Sequence, residues 1–234
     1  ALSFCEDVKN ASLVKKARKK NVLLGVAPSY LSLQTVSKHS HGLIVASQDA
    51  HYADHGAFTS SVSIPMLKEI NVDWAIIGHS EKRQYEGETD LDCNRKIRAL
   101  VKNGMHAIYC VGESAKEYDQ GITKDVIRAQ VEVGLMNLEK EEISNVVIAY
   151  EPVWSIGTGK NASDSIAQDI CAFIRQIVCE MYGKVASQKT LILYGGSVKP
   201  ENVHGYLSQP DVDGALVGGA SLKSDSFAAL LENI

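Results

Sequence analysis

Glu151 closes the apolar run Val146-Val147-Ile148-Ala149-Tyr150 and is followed at once by the proline-led, glycine-rich segment Pro152-Val153-Trp154-Ser155-Ile156-Gly157-Thr158-Gly159-Lys160. A run of β-formers of that length predicts a strand that delivers the carboxylate to its C-terminal tip, where a general base can meet a small substrate. The loop beyond it can then close over that substrate. A Glu before a Pro is ordinarily just the polar end of a strand, so the tripeptide needs company to count as chemistry. Three more strand ends supply it: Ile76-Ile77-Gly78-His79-Ser80-Glu81, Leu193-Tyr194-Gly195-Gly196-Ser197 and Ala215-Leu216-Val217-Gly218-Gly219-Ala220-Ser221.

His79 stands before Ser80-Glu81-Lys82-Arg83, which reads as the start of a helix. The positive end of that helix disfavours protonation of the imidazole, and a neutral imidazole that donates a hydrogen bond polarises a carbonyl oxygen. A lone strand-end histidine is otherwise most often structural. With Glu151 as base, the pair makes a device for proton abstraction α to a carbonyl that needs no metal and no cofactor. The glycines carry a different chemistry. Gly218-Gly219 ends the last apolar run and Ala220-Ser221-Leu222 can open a short helix, so backbone N–H groups are approachable by an anion such as phosphate. Gly195-Gly196-Ser197 adds donors at the preceding strand end. Either glycine pair alone also suits a tight turn; two pairs at the last two strand ends occupy the place where barrel enzymes bind phosphate.

The elements that must position these groups follow from the apolar runs. Val22 to Val26, Leu43 to Ala46, Trp74 to Ile77, Ala107 to Val111, Val146 to Tyr150, Leu191 to Tyr194 and Ala215 to Val217 are almost continuously apolar, as strands buried on both faces of a parallel sheet require. Between them lie helical patterns, clearest where Ser163 can cap a helix carrying Ile166, Ile170, Phe173, Ile174, Ile177, Val178 and Met181, with Gly183 as its stop. Alternating βα units without a linker predict one domain over residues 1–234, either a doubly wound sheet or a (β/α)8 barrel. No GxGxxG or GxxxxGK[ST] motif follows the first strand, which argues against a dinucleotide or P-loop site.

Bulk properties agree with a small metabolite as partner. The 234 residues are 45% hydrophobic and carry a formal net charge of -4, which gives no electrostatic reason to expect nucleic acid or an anionic membrane. Cys5, Cys93, Cys110, Cys171 and Cys179 are scattered, without a CxxC pair or metal-ligand spacing, so a reducing cytoplasm is expected and neither a disulfide framework nor a zinc site. No signal peptide or long uncharged apolar run is read in the chain, and the sequons at Asn10 and Asn161 are taken as chance.

The segments Gly78-His79-Ser80-Glu81, Ala149 to Trp154, Ile156 to Lys160, Tyr194 to Pro200 and Gly214 to Leu222 together resemble the triosephosphate isomerase family, in order and over nearly the whole chain. The resemblance implies a TIM barrel and the interconversion of dihydroxyacetone phosphate and D-glyceraldehyde 3-phosphate through an enediolate, in glycolysis and gluconeogenesis, with no cofactor. It implies that Glu151 shuttles the proton and His79 polarises the carbonyl. Pro152, Val153, Trp154, Ile156, Thr158, Gly159 and Lys160 match the family's lid, and Gly157, Ser197, Gly218 and Gly219 its phosphate donors. Leu216 matches an apolar residue near the base, and Cys110 a buried cysteine with a packing role. Gly56-Ala57-Phe58-Thr59 resembles the tip of a protruding loop that enters a neighbouring subunit, so a homodimer through the loop around Thr59 is implied.

The start of the chain departs from the pattern. The family's first strand ends in an Asn-Trp-Lys-Met-Asn type motif whose Asn and Lys complete the site, and Ala1 to Val8 reads instead as a helix already under way. Lys9-Asn10 lies inside that helical stretch and is no substitute. Roughly 15–20 further residues would supply one strand and its loop, and the expectation is that the natural protein has them. The alternative is a truncated, catalytically impaired barrel that retains only phosphate binding.

Overall fold

Seven apolar runs become strands in the computed structural model, which describes residues 1–156 and 161–234: β1 (Gly25–Val26), β2 (Ile44–Ser47), β3 (Trp74–Ile77), β4 (His106–Val111), β5 (Val146–Tyr150), β6 (Ile192–Tyr194) and β7 (Gly214–Ala215). All pair in parallel, in the order β1-β2-β3-β4-β5-β6-β7. The helices are α1 (Leu2–Asn10), α2 (Leu13–Lys19), α3 (Tyr30–Lys38), α4 (Ile64–Glu69), α5 (Ser80–Glu86), α6 (Asp90–Lys102), α7 (Ala115–Asp119), α8 (Thr123–Leu135), α9 (Asp164–Tyr182), α10 (Lys184–Lys189), α11 (Val203–Leu207) and α12 (Ser224–Glu232). The architecture is a curled parallel sheet with helices outside it, the (β/α) barrel expected.

Side-chain alternation along the strands separates two apolar layers. Ile76, Cys110 and Ala149 face the barrel interior with Ala27, Ile108, Leu193 and Leu216 packed on them. Their neighbours Ala75, Ile77, Tyr109, Ile148 and Tyr150 belong to the larger cluster under the helices, with Ile97, Val131, Ile174 and Val178. α9 shows why its sequence folds so: the Ser163 side chain accepts a hydrogen bond from the Ile166 N–H, the apolar positions fall on one stripe, and Gly183 at φ 88 ends the helix. Thr89 with Asp92, and Ser114 with Glu117, form reciprocal capping boxes that start α6 and α7.

The two edges differ from the sequence reading. The expected strand over 22–26 keeps only its last two residues, and the one over 215–217 becomes Gly214–Ala215. Among the described residues both are sheet edges with a ladder on one side only, and Leu23 is 71% exposed. The helical layer, in contrast, is continuous across the same place. Val8, Leu13 and Ala17 pack with Phe227 and Leu231 of α12, Phe4 and Phe227 lie 5.4 Å apart, and Ser224 donates to Asp7 at 2.8 Å.

Candidate active site

The β4–β5 ladder carries Glu151 to its place. After the last pair, Val111 with Tyr150, the Glu151 N–H donates to the Val111 carbonyl at 2.7 Å. Its carboxylate then turns inward and is only 3% exposed. One oxygen accepts from the Ser80 N–H at 3.1 Å, and the other lies 3.1 Å from His79 Nε2. A buried carboxylate without such donors would cost several kcal/mol; here the first turn of α5 provides one and the imidazole the other. Gly195, bonded through its N–H to the Tyr150 carbonyl at 2.7 Å, leaves the space that the Glu151 side chain fills. Cys110 sits buried beside Ile76 and Ala149, and burial pushes its thiol pKa well up, so it packs and stays protonated.

His79 is the N-cap of α5, and its Nδ1 accepts from the Glu81 N–H at 3.3 Å. That contact leaves the ring proton on Nε2, facing Glu151. The sequence reading, in which the helix end holds the imidazole neutral, meets an opposing influence: the Glu151 hydrogen bond raises the His79 pKa, with burial working against it. Occupation of Nδ1 by a backbone N–H resists the second proton, and separation of His79 from Glu151 removes the main cause of the rise. Glu81 itself is exposed, 3.9 Å from His79, and its backbone N–H rather than its carboxylate does the positioning.

Two residues that spacing does not single out hold the turn before His79. Gly78 has φ +76, and a Cβ there would lie 2.9 Å from Cys93 Sγ and 3.0 Å from the Cys110 carbonyl oxygen. Its N–H donates to Glu88 Oε2 at 3.1 Å, and its C=O accepts from Arg83 Nε at 2.8 Å. Arg83 also donates to the Cys110 carbonyl at 3.2 Å and bonds Asp90 at 2.5 Å, while Lys96 bonds Glu88 at 2.5 Å. Both backbone polar groups of Gly78 therefore meet charged partners, each such bond contributing about 1.5–3 kcal/mol.

A third missed residue is Glu113, which follows the tip of β4 much as Glu151 follows β5 and is fully buried. Its Oε1 accepts from Trp154 Nε1 at 2.7 Å and from the Tyr150 hydroxyl at 3.1 Å, and its carbonyl accepts from the Val153 N–H at 3.1 Å. Burial raises its pKa, against the pull of those donors. Pro152 is buried, residues Val153–Ser155 form a single 3-10 turn, and the Trp154 ring lies over Tyr118 at 4.3 Å. Ile156 is half-buried. Gly157, Thr158, Gly159 and Lys160 lie outside the described residues.

On the glycine side, Leu216 N–H donates to the Tyr194 carbonyl at 3.0 Å, so Ser197 and Gly218 extend from neighbouring strand ends. Ser197 is half-buried, and Gly218 and Gly219 are exposed, with nothing within 4 Å of where a Cβ would lie on either. Gly219–Ser221 forms one 3-10 turn instead of a longer helix, tied by the Ser221 hydroxyl to the Val217 and Gly218 carbonyls. Lys9 and Asn10 end α1 in the outer layer, where Lys9 pairs with Glu6 at 3.5 Å. In the loop after β2, the His51 ring stacks on Tyr52 at 4.4 Å and packs tilted against Phe58 at 4.2 Å, and its backbone N–H donates to the Val62 carbonyl, so the exposed tip around Thr59 is a built loop.

Comparison with known proteins identifies the family. Residues 2–234 match the family model described as Triosephosphate isomerase. The chain is 50% identical over 214 residues to the triosephosphate isomerase of Trichlorobacter lovleyi, an alignment covering 91% of this chain and 85% of that one. It is 46% identical over 211 residues to that of Carboxydothermus hydrogenoformans, covering 89% and 84%. With that of Streptococcus thermophilus it shares 48% identity over 210 residues, covering 89% and 83%.

Proposed function

We infer that this chain, which belongs to the triosephosphate isomerase family, carries out its reaction through Glu151 as the base and His79 as the electrophile. The chain is an intramolecular aldose–ketose isomerase that interconverts dihydroxyacetone phosphate and D-glyceraldehyde 3-phosphate, a step of glycolysis and gluconeogenesis. Glu151 takes a proton from the carbon next to the carbonyl and returns it to the neighbouring carbon. The His79 Nε2–H donates to the oxygen on which the negative charge of the enediolate grows. While Glu151 accepts from Nε2, that N–H cannot serve a carbonyl, so substrate binding must part the two side chains. Ser197, Gly218, Gly219 and Gly157 supply the phosphate donors, and Leu216 packs beside the base. The segment from Pro152 to Lys160 is the lid, which keeps water from an intermediate that would otherwise eliminate its phosphate.

The observation that carries this reading is the buried Glu151 carboxylate, held at 3.1 Å by both the Ser80 N–H and His79 Nε2. Glu151→Asp withdraws the carboxylate by about one methylene and should cost on the order of 100-fold in kcat. His79→Gln should lower kcat more than it raises KM. Near-parental turnover in the first variant removes Glu151 from the base role, and a pure KM defect in the second makes His79 structural.

The partner is a second copy of the chain, engaged through the loop around Thr59. Exposed Tyr30, Leu31, Tyr52, Phe58, Met66 and Tyr85 on the segments following β1, β2 and β3 support this, since apolar side chains at neighbouring loops favour a covered surface. The cytoplasm is the proposed location, supported by five cysteines that are all free. No helix among the described residues is long and apolar enough to cross a membrane.

A further inference from the structure

We propose that Gln130, on α8, is a positioning residue for the Glu151 base, acting through Gly112. This rests on Glu151 being the base. The β4–β5 ladder ends at Val111 with Tyr150, and the next residue of β4's chain, Gly112, gives both of its polar groups to the Gln130 side chain. The Gly112 N–H donates to Gln130 Oε1 at 2.7 Å, and Gln130 Nε2 donates to the Gly112 carbonyl at 3.1 Å. The amide thus supplies the hydrogen-bond partners beyond the point where the β4–β5 ladder ends. Gln130 is itself fixed to β4, because its carbonyl accepts from the buried Tyr109 hydroxyl at 2.7 Å.

Gly112 matters because the base rests on it. A Cβ on Gly112 would lie 1.8 Å from the Glu151 carbonyl oxygen and 2.7 Å from its carbonyl carbon, far inside contact distance. The main chain of Glu151 is therefore seated directly on the Cα of Gly112, and any shift of Gly112 moves the peptide from which the carboxylate hangs. A glutamine presents one acceptor and one donor side by side in a plane, which matches a peptide N–H and C=O. An ionised glutamate presents two acceptors, one of which must face the Gly112 carbonyl. A protonated carboxyl regains the donor. Both polar groups of the Gln130 side chain are taken up by Gly112, so its effect on rate would come through placement alone.

The test is steady-state kinetics of Gln130→Glu and Gln130→Met against the parent protein across pH, with Glu151→Gln as control and circular dichroism to confirm folding. Displacing a base by ~1 Å costs on the order of 100-fold, and a partial shift is expected to lower kcat roughly 10- to 100-fold. KM should stay within about twofold. The kcat deficit of Gln130→Glu relative to the parent should shrink as pH falls and the introduced carboxyl takes a proton; that of Gln130→Met should not change with pH. Folded variants with parental kcat overturn the proposal, as does a rise in KM at constant kcat. A deficit in Gln130→Glu that ignores pH also overturns it, since the donor to Gly112 would then be irrelevant. If Glu151→Gln keeps parental activity, the base assignment fails as well; if it is inactive while both Gln130 variants are unimpaired, only the positioning role fails.

Discussion

Between β4 and β5 the ladder runs for five residue pairs, whereas β1–β2 and β6–β7 have two each and no ladder joins β7 to β1 among the described residues. The first region holds the groups proposed for proton transfer: the tips of β3, β4 and β5 are buried, and Gly78, Gly112 and Glu151 each have backbone or carboxylate groups bonded by side chains or N–H groups from outside the sheet. The second holds the glycines proposed to bind phosphate, where Gly218 and Gly219 are exposed and unobstructed. The contrast matches the two tasks proposed for these regions. A base misplaced by ~1 Å loses about two orders of magnitude, so it is seated in packed structure. An anion is bound by several backbone dipoles at once and needs access more than rigidity.

If that contrast is physical, core truncations on the two sides should differ most. Ile148, buried in β5, replaced by Ala should lose about 2–5 kcal/mol in urea unfolding. Leu23→Ala, at a side chain 71% exposed beside β1, should change stability by about 0.5 kcal/mol or less. A comparable loss at Leu23 would break the comparison and mean that another segment covers it in the protein.

The same contrast explains what could be read from residue order. β3, β4 and β5 stand close to their expected bounds because their apolar runs are buried on both faces and end in abrupt polar or glycine residues, as at Ile77-Gly78 and Tyr150-Glu151. β1 and β7 came out short because an apolar run states a propensity and not whether a neighbouring strand is there to satisfy it. Glu151 and His79 were legible as residues at strand ends, and the structure sets them 3.1 Å apart. Their supports were not: Arg83 reaches Gly78 across 5 residues, Glu88 across 10, and Gln130 reaches Gly112 across 18, all to backbone groups that leave no motif. Glu113 had a signal that spacing alone did not raise above background, a carboxylate at a strand tip just ahead of the Ser114 cap.

A second way to sharpen the comparison is to crowd the open side. Gly219→Val places a branched side chain in space where a Cβ meets nothing within 4 Å, so it should fold normally and interfere chiefly with an approaching anion. Losing one charge-assisted bond at about 1.5–3 kcal/mol corresponds to a roughly 10- to 100-fold weaker affinity for a triose-phosphate analogue, read by titration calorimetry. The proton-transfer side should be untouched, so the effect belongs in KM more than in kcat. Unchanged affinity would remove Gly219 from the phosphate site.

The smallest expected effect lies on the packed side and concerns what burial costs there. Glu113 is fully buried and its pKa is raised by that burial above the usual carboxylate value, although Trp154 and Tyr150 donate to it. The folded state therefore holds the Glu113 proton more tightly than the unfolded chain does. Stability from this group is greatest below the unfolded pKa, and it declines as pH rises from there through the raised folded value. Glu113→Gln keeps an oxygen for the Trp154 and Tyr150 donors and removes the ionisation. Compared by urea unfolding at about pH 4.5 and about pH 7.5, the variant should gain on the parent at the higher pH. A parent that instead gains on the variant there would mean that the ionised carboxylate is favoured by its donors, and that Glu113 holds Trp154 and Tyr150 through charge instead of in spite of it.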